Sequence, residues 1–153
     1  MRQAVKYSEF LWGFVLPRHI LVSNGRFAVA LDENACIRDV YFPYLGLENH
    51  AVGHPFRVGV WVDGNFEWID RNWIVTMTYM PETLTSRYKI KKNSFPVEME
   101  VNDAIYHTKD IFMRKIRVAN TSDRKHQVRL FFTQDFHIYG YDAGDTAFFE
   151  PNV

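Results

Sequence analysis

The sequence predicts an all-β fold, a two-sheet antiparallel β-sandwich, on three observations. Apolar and polar residues alternate with period two in runs of about five to nine residues from Ile20 onward. Asn24-Gly25 and Asp63-Gly64, residues that tolerate positive φ, punctuate those runs. No window keeps an apolar period of about 3.6 residues beyond about two turns, so no helix competes. The elements follow in order. Strands over 20–23 and 27–31 flank Asn24-Gly25, and the polar break from Asp32 to Ala35 precedes a strand over 37–42. Strands over 56–62 and 66–69 flank Asp63-Gly64, where both central residues of a two-residue I′ loop need positive φ. Strands over 73–79 and 84–91 come next; Arg87-Tyr88-Lys89-Ile90-Lys91 and Val97-Glu98-Met99-Glu100-Val101 alternate cleanly, which gives each strand one wet face. Asn102-Asp103 reads as a polar break between strands over 97–101 and 104–108. Strands over 111–119 and 127–133 complete the set, separated by the polar residues 121–125. Ile111-Phe112-Met113 and Phe131-Phe132 break the alternation and predict strands covered on both faces.

At 153 residues the chain is about one domain: a lead-in over 1–17 and a sandwich over 18–153. Lysine plus arginine and aspartate plus glutamate number 18 each, so no net charge attracts nucleic acid or an anionic membrane. The lead-in holds an apolar patch over 10–16, too short to span a bilayer and followed by no small-residue cleavage site. Its expected role is to pack on the sandwich or on a neighbouring part. The single cysteine, Cys36, has no internal partner, which fits a reducing, cytoplasmic setting, and its apolar surroundings predict a buried, inert thiol.

Residue types that carry chemistry are sparse. Glu48, His50 and His54 make the one cluster with metal-ligand character, but Gly53 and Pro55 forbid the helix that would align the two imidazoles, so loop hydrogen bonding is expected and no metal or other cofactor. Glycoside hydrolysis needs two facing carboxylates, one with a raised pKa. Glu48, Asp63, Glu67, Asp70, Asp135, Asp142 and Asp145 lie near aromatic residues or loops, yet no two form such a pair by context. No nucleophile elbow or phosphate-cradling loop appears either, so no catalytic residue is assigned. Aromatic residues make up 16% of the chain. Tyr41, Phe42 and Tyr44 near a strand end, Trp61, Trp68 and Trp73 around a hairpin, and Tyr139 and Tyr141 could stack on sugar rings or fill a core or interface.

Several of these segments recur together in one family. Asn24-Gly25-Arg26-Phe27-Ala28-Val29-Ala30-Leu31-Asp32, Ile37-Arg38-Asp39-Val40-Tyr41-Phe42-Pro43, Glu48-Asn49-His50 and Gly59-Val60-Trp61-Val62-Asp63-Gly64 follow in order, then Asp135-Phe136-His137-Ile138-Tyr139 and the stretch from Gly144 to Pro151. The chain thereby resembles the amino-terminal β-domain of prokaryotic glycoside hydrolases of family fifteen: glucoamylases, glucodextranases and related trehalases. The resemblance implies a large sandwich of the galactose mutarotase-like kind, packed on a catalytic (α/α) barrel whose two glutamates hydrolyse α-glucosidic bonds with inversion. It also implies that the sandwich and the barrel extend past Val153, so that this chain is an incomplete, inactive part of an α-glucan or α-glucoside hydrolase. Its uncovered strands would then favour a homo-oligomer. The carried-over site is a loop that contacts carbohydrate or barrel: Tyr41, Tyr44, Glu48, Asn49 and His50. The competing reading, from the fold alone, is a free-standing carbohydrate-binding or protein-interaction module.

Overall fold

The computed structural model describes residues 18–138. The lead-in, Tyr139, Tyr141, Asp142, Asp145 and the stretch from Gly144 to Pro151 lie outside them. The described residues form ten strands: β1 (Ile20–Ser23), β2 (Ala28–Leu31), β3 (Ile37–Tyr41), β4 (Val58–Val62), β5 (Asn65–Trp68), β6 (Ile74–Tyr79), β7 (Ser86–Lys91), β8 (Val97–Ile105), β9 (Phe112–Asn120) and β10 (Val128–Phe132). All pairing is antiparallel, and no α-helix occurs among the described residues. The strands make three sheets, ordered β1-β2-β3, β10-β4-β5 and β6-β7-β8-β9.

An isolated bridge between Ile37 and Phe56 links the first sheet to the chain entering the second. Inward residues of all three sheets meet in one core: Val22 and Leu31 from the first, Val60 from the second, Tyr88, Met99 and Val101 from the third. Alternation decides which residues go in. Strand β7 buries Ser86, Tyr88 and Ile90 and exposes the residues between them, while β8 buries Val97, Met99, Val101 and Asp103. The strand buried at every position is β2, Ala-Val-Ala-Leu, the middle of its sheet, whose small residues fit between layers.

The Asp63-Gly64 hairpin is as predicted: Val62 pairs with Asn65, and φ is 48° at Asp63 and 98° at Gly64. The first hairpin is shifted by one residue. Asn24 closes on Phe27 through the amide of Asn24, Asn24 Oδ1 accepts from the amides of Arg26 and Phe27, and Gly25 takes the positive φ.

Two expectations fail. Asn102-Asp103 is no break, because β8 runs unbroken from Val97 to Ile105. Asp103 is fully buried and satisfied: Arg114 Nε and Nη2 donate to its two oxygens at 2.8 and 2.7 Å, the Tyr88 hydroxyl donates at 2.8 Å, and its own amide donates to Ser86 Oγ. With that many partners the desolvation of Asp103 is offset, so a polar residue can sit inside a strand. Burial pulls the Arg114 pKa down, yet the hydrogen bond and charge of Asp103 offset that and leave it raised. Second, among the described residues β9 and β10 are not covered on both faces: each is the edge of its sheet, and Ile111, Met113, Phe131 and Phe132 are exposed. Apolar residues on both sides of a strand here mark surface, not a buried middle. Cys36 is buried, and desolvation, helped by the nearby Asp32 charge, pushes its thiol up to about 12, as an inert thiol requires.

Candidate functional site

The connection from β3 to β4 begins with the loop singled out from the sequence, and one side chain organises it. Asn49 Oδ1 accepts from the amides of Val40, Ala51 and Val52 at 3.0–3.1 Å, and its Nδ2 donates to Asp39 Oδ1 at 2.7 Å. Asp39 is itself forked by the Arg18 guanidinium, with Nη2 to Oδ1 at 3.1 Å. His50 donates its amide to the carbonyl of Val40, and its Nε2 lies 2.6 Å from the carbonyl of Phe42, which can only accept, so that nitrogen carries the proton. A Tyr41–Asn49 bridge and a bond from the Phe42 amide to the Glu48 carbonyl close the neck, where the Phe42–Pro43 peptide is cis. Burial, then the charge of Asp39, raises the Tyr41 pKa. Of the five residues selected, Tyr41, Glu48, Asn49 and His50 thus build the loop. Tyr44 alone stands at its tip, 61% exposed beside Leu45 at 42% and Leu47 at 81%. The base is rigid and the tip apolar. One Glu48 oxygen, Oε2, is buried with no hydrogen-bond partner among the described residues.

The trio weighed as a metal site is split. His50 turns to Phe42, while His54 meets residues from beyond β10: its Nδ1 lies 3.3 Å from Asp135 Oδ2, and His137 Nε2 lies 3.2 Å from Asp135 Oδ1. The rings of His54 and His137 stack at 3.7 Å. This cluster escapes sequence reading because its parts are some eighty positions apart, and only the fold of β4 and β10 into one sheet joins them.

Ser122, His126 and Asp63 form a second constellation that spacing did not reveal. Asp63 Oδ2 lies 2.6 Å from His126 Nδ1, and His126 Nε2 lies 2.7 Å from Ser122 Oγ. The order matches a hydrolytic triad, but the hydroxyl is committed to its own turn. Asn120 Oδ1 and the Arg124 carbonyl also stand within 3.0 and 3.3 Å of it, three acceptors for one proton. The arrangement ties the β9–β10 turn to the β4–β5 hairpin. The hydrogen bond with His126, then that from the Gln127 amide, lowers the Asp63 pKa.

Five further acids of the described residues are held in structural contacts. Asp32 pairs with Arg38, Asp39 with Arg18 and Asp103 with Arg114, while Glu67 pairs with Lys92 and Asp70 accepts from the Asn72 amide. A general acid needs an apolar, unpaired setting, the reverse of these guanidinium-bound carboxylates.

The aromatics divide. Trp73 is buried against Phe95, and Trp61 lies under the Arg129 guanidinium at 4.7 Å. On the same face of the β10-β4-β5 sheet, Phe66 packs edge-on against Trp68 and Phe131 over Gly59, where an added Cβ would fall 2.6 Å from the Phe66 ring. Phe66 and Phe131 remain over 40% exposed. No helix of the described residues is long and apolar enough to cross a membrane. No family model, curated protein or solved structure matches the chain.

Proposed function

We propose that the chain is the accessory β-domain of a glucoamylase-like hydrolase of α-glucosidic bonds, and that it packs on and supports a catalytic (α/α) barrel. The observation that carries this reading is the clasped loop with the bare apolar tip of Tyr44, Leu45 and Leu47. A tip held rigid at its base loses little conformational entropy on docking, and its leucines offer apolar area rather than the hydrogen bonds a sugar needs. The sheet arrangement is consistent with a two-layer sandwich, and the proposed kind is galactose mutarotase-like. In this reading the first two sheets, linked by the Ile37–Phe56 bridge, form one layer and the four-stranded sheet the other. A cleft of about 460 Å³ lined by Val40, Phe56, Phe112, Ile116, Phe132 and Phe136 lies beside β9 and β10.

The test mixes the purified chain with a separately produced family-fifteen catalytic barrel. A complex should form on gel filtration, Leu47→Asp should abolish it, and the chain alone should release no glucose from maltose, starch or trehalose. No complex, or a complex indifferent to Leu47→Asp, overturns the reading. The second reading, a carbohydrate-binding module, is favoured by Phe66, Trp68 and Phe131 on one sheet face. Calorimetric binding of malto-oligosaccharides lost in Phe66→Ala would select it.

A further inference from the structure

We propose that His54, Asp135 and His137 bind a divalent transition-metal cation of the zinc type, which clamps the segment after β10 onto the β3–β4 connection. The inference is independent of the reading above. One ligand atom from each residue lies within 4.8 Å of the other two. His54 Nδ1 lies 3.3 Å from Asp135 Oδ2 and His137 Nε2 lies 3.2 Å from Asp135 Oδ1, so each imidazole stands about one tetrahedral edge from its own oxygen of the carboxylate. Zinc bonds of roughly 2.0–2.1 Å to nitrogen and oxygen give an edge of about 3.3 Å.

The donor chemistry selects the ion. Two imidazoles and one carboxylate suit zinc, cobalt or ferrous iron, whereas calcium and magnesium take oxygen ligands. The ligands come from two directions and are held independently of any ion. The His54 amide donates to the Ala51 carbonyl, the His137 amide donates to the His50 carbonyl at 2.8 Å, and Phe136 packs edge-on against Phe56 at 4.7 Å. Asp135 and His137 are two apart, and their side chains meet on one side of the segment, 3.2 Å apart. Stacked imidazoles do not aim their lone pairs at one point, so the more exposed ring, His54, turns about its side-chain torsions to converge. Its exposure and that of Asp135, 45% and 53%, leave an entry path and a fourth position for water.

The full chain, stripped with a chelator, is titrated with zinc alone by calorimetry and with cobalt by visible absorption. One ion per chain is expected, with a cobalt spectrum of four- or five-coordination. His54→Gln and His137→Gln should each weaken zinc by more than the roughly 10–100-fold that loss of a supporting partner costs. His107→Gln, far along the chain, should leave it unchanged. At a hundredfold excess over Kd, zinc should raise the melting midpoint by roughly 5 °C or more, and His54→Gln should remove that gain. His54 lies on the surface, so a folded His54→Gln protein, verified by its near-ultraviolet dichroism, decides the matter even if changes at His137 disturb packing. Failure of the native chain to bind zinc or cobalt, or equal binding by the native chain and His54→Gln, overturns the proposal.

Discussion

Strands β8 and β9 are paired over nine residues in one register, yet they meet opposite environments. On their shared inner face Met99 opposes Val118 and Val101 opposes Ile116. Met99 is 1% exposed and Val118 38%. Ile116 and Val118 alternate with Arg117 as Val97, Met99 and Val101 alternate with Glu98 and Glu100, so period-two patterning states which residues share a face and is silent on whether anything covers it. Cover depends on the facing layer, and among the described residues the facing layer gives out at β9, where the cleft opens beside Phe112 and Ile116. Arg114 and Asp103 sit at that seam, a charge pair where the apolar core stops.

The largest effect is expected at the seam. Asp103→Ala leaves the Arg114 charge buried without its partner and should cost about 3–5 kcal/mol of unfolding free energy in urea. The double change Asp103→Leu with Arg114→Met should recover much of it, and a double variant as unstable as the single would mean that the pair is needed for more than neutrality. The comparison itself is tested next. Met99→Ala should cost roughly 2–5 kcal/mol and Val118→Ala under about 1 kcal/mol; equal costs would mean that β9 is covered as well as β8. In the second sheet, Gly64→Val forces a β-branched residue to φ near 98° and should cost about 1 kcal/mol or more. An unchanged denaturation midpoint would refute the turn assignment. The smallest effect is on pH dependence. The folded-state Asp63 pKa is depressed below its usual 3.8, so the contribution of its contacts is present above that value and is lost as pH falls through the folded pKa. Asp63→Asn should flatten the acid limb of the stability curve, and an unaltered limb would show that the Asp63–His126 contact is inert.

Most of the fold was legible because strands and turns are local. The Asp63-Gly64 loop follows from two residues, and β7 and β8 from their alternation. What misled was polarity read without partners. Asn102-Asp103 looks like a turn, and only the placement of Arg114, Tyr88 and Ser86 around Asp103 reveals a strand interior. The apolar pairs Phe131-Phe132 and Ile111-Phe112 gave hydrophobicity but not location. The site was half legible for the same reason. Glu48-Asn49-His50 marks the loop, but the task of Asn49 as its clasp depends on backbone amides that no spacing identifies. The meeting of His54 with Asp135 and His137 depends on β10 crossing back to β4.

The clasp has a consequence for how this loop can change. Its shape is held by Asn49, Asp39 and Arg18, none of which is at the tip, and its exposed surface is supplied by Tyr44, Leu45 and Leu47, none of which makes a side-chain hydrogen bond among the described residues. Form and contact chemistry are written in separate residues. The tip is therefore a replaceable cassette: new side chains at those three positions would retarget the loop to a different surface without asking the domain to refold.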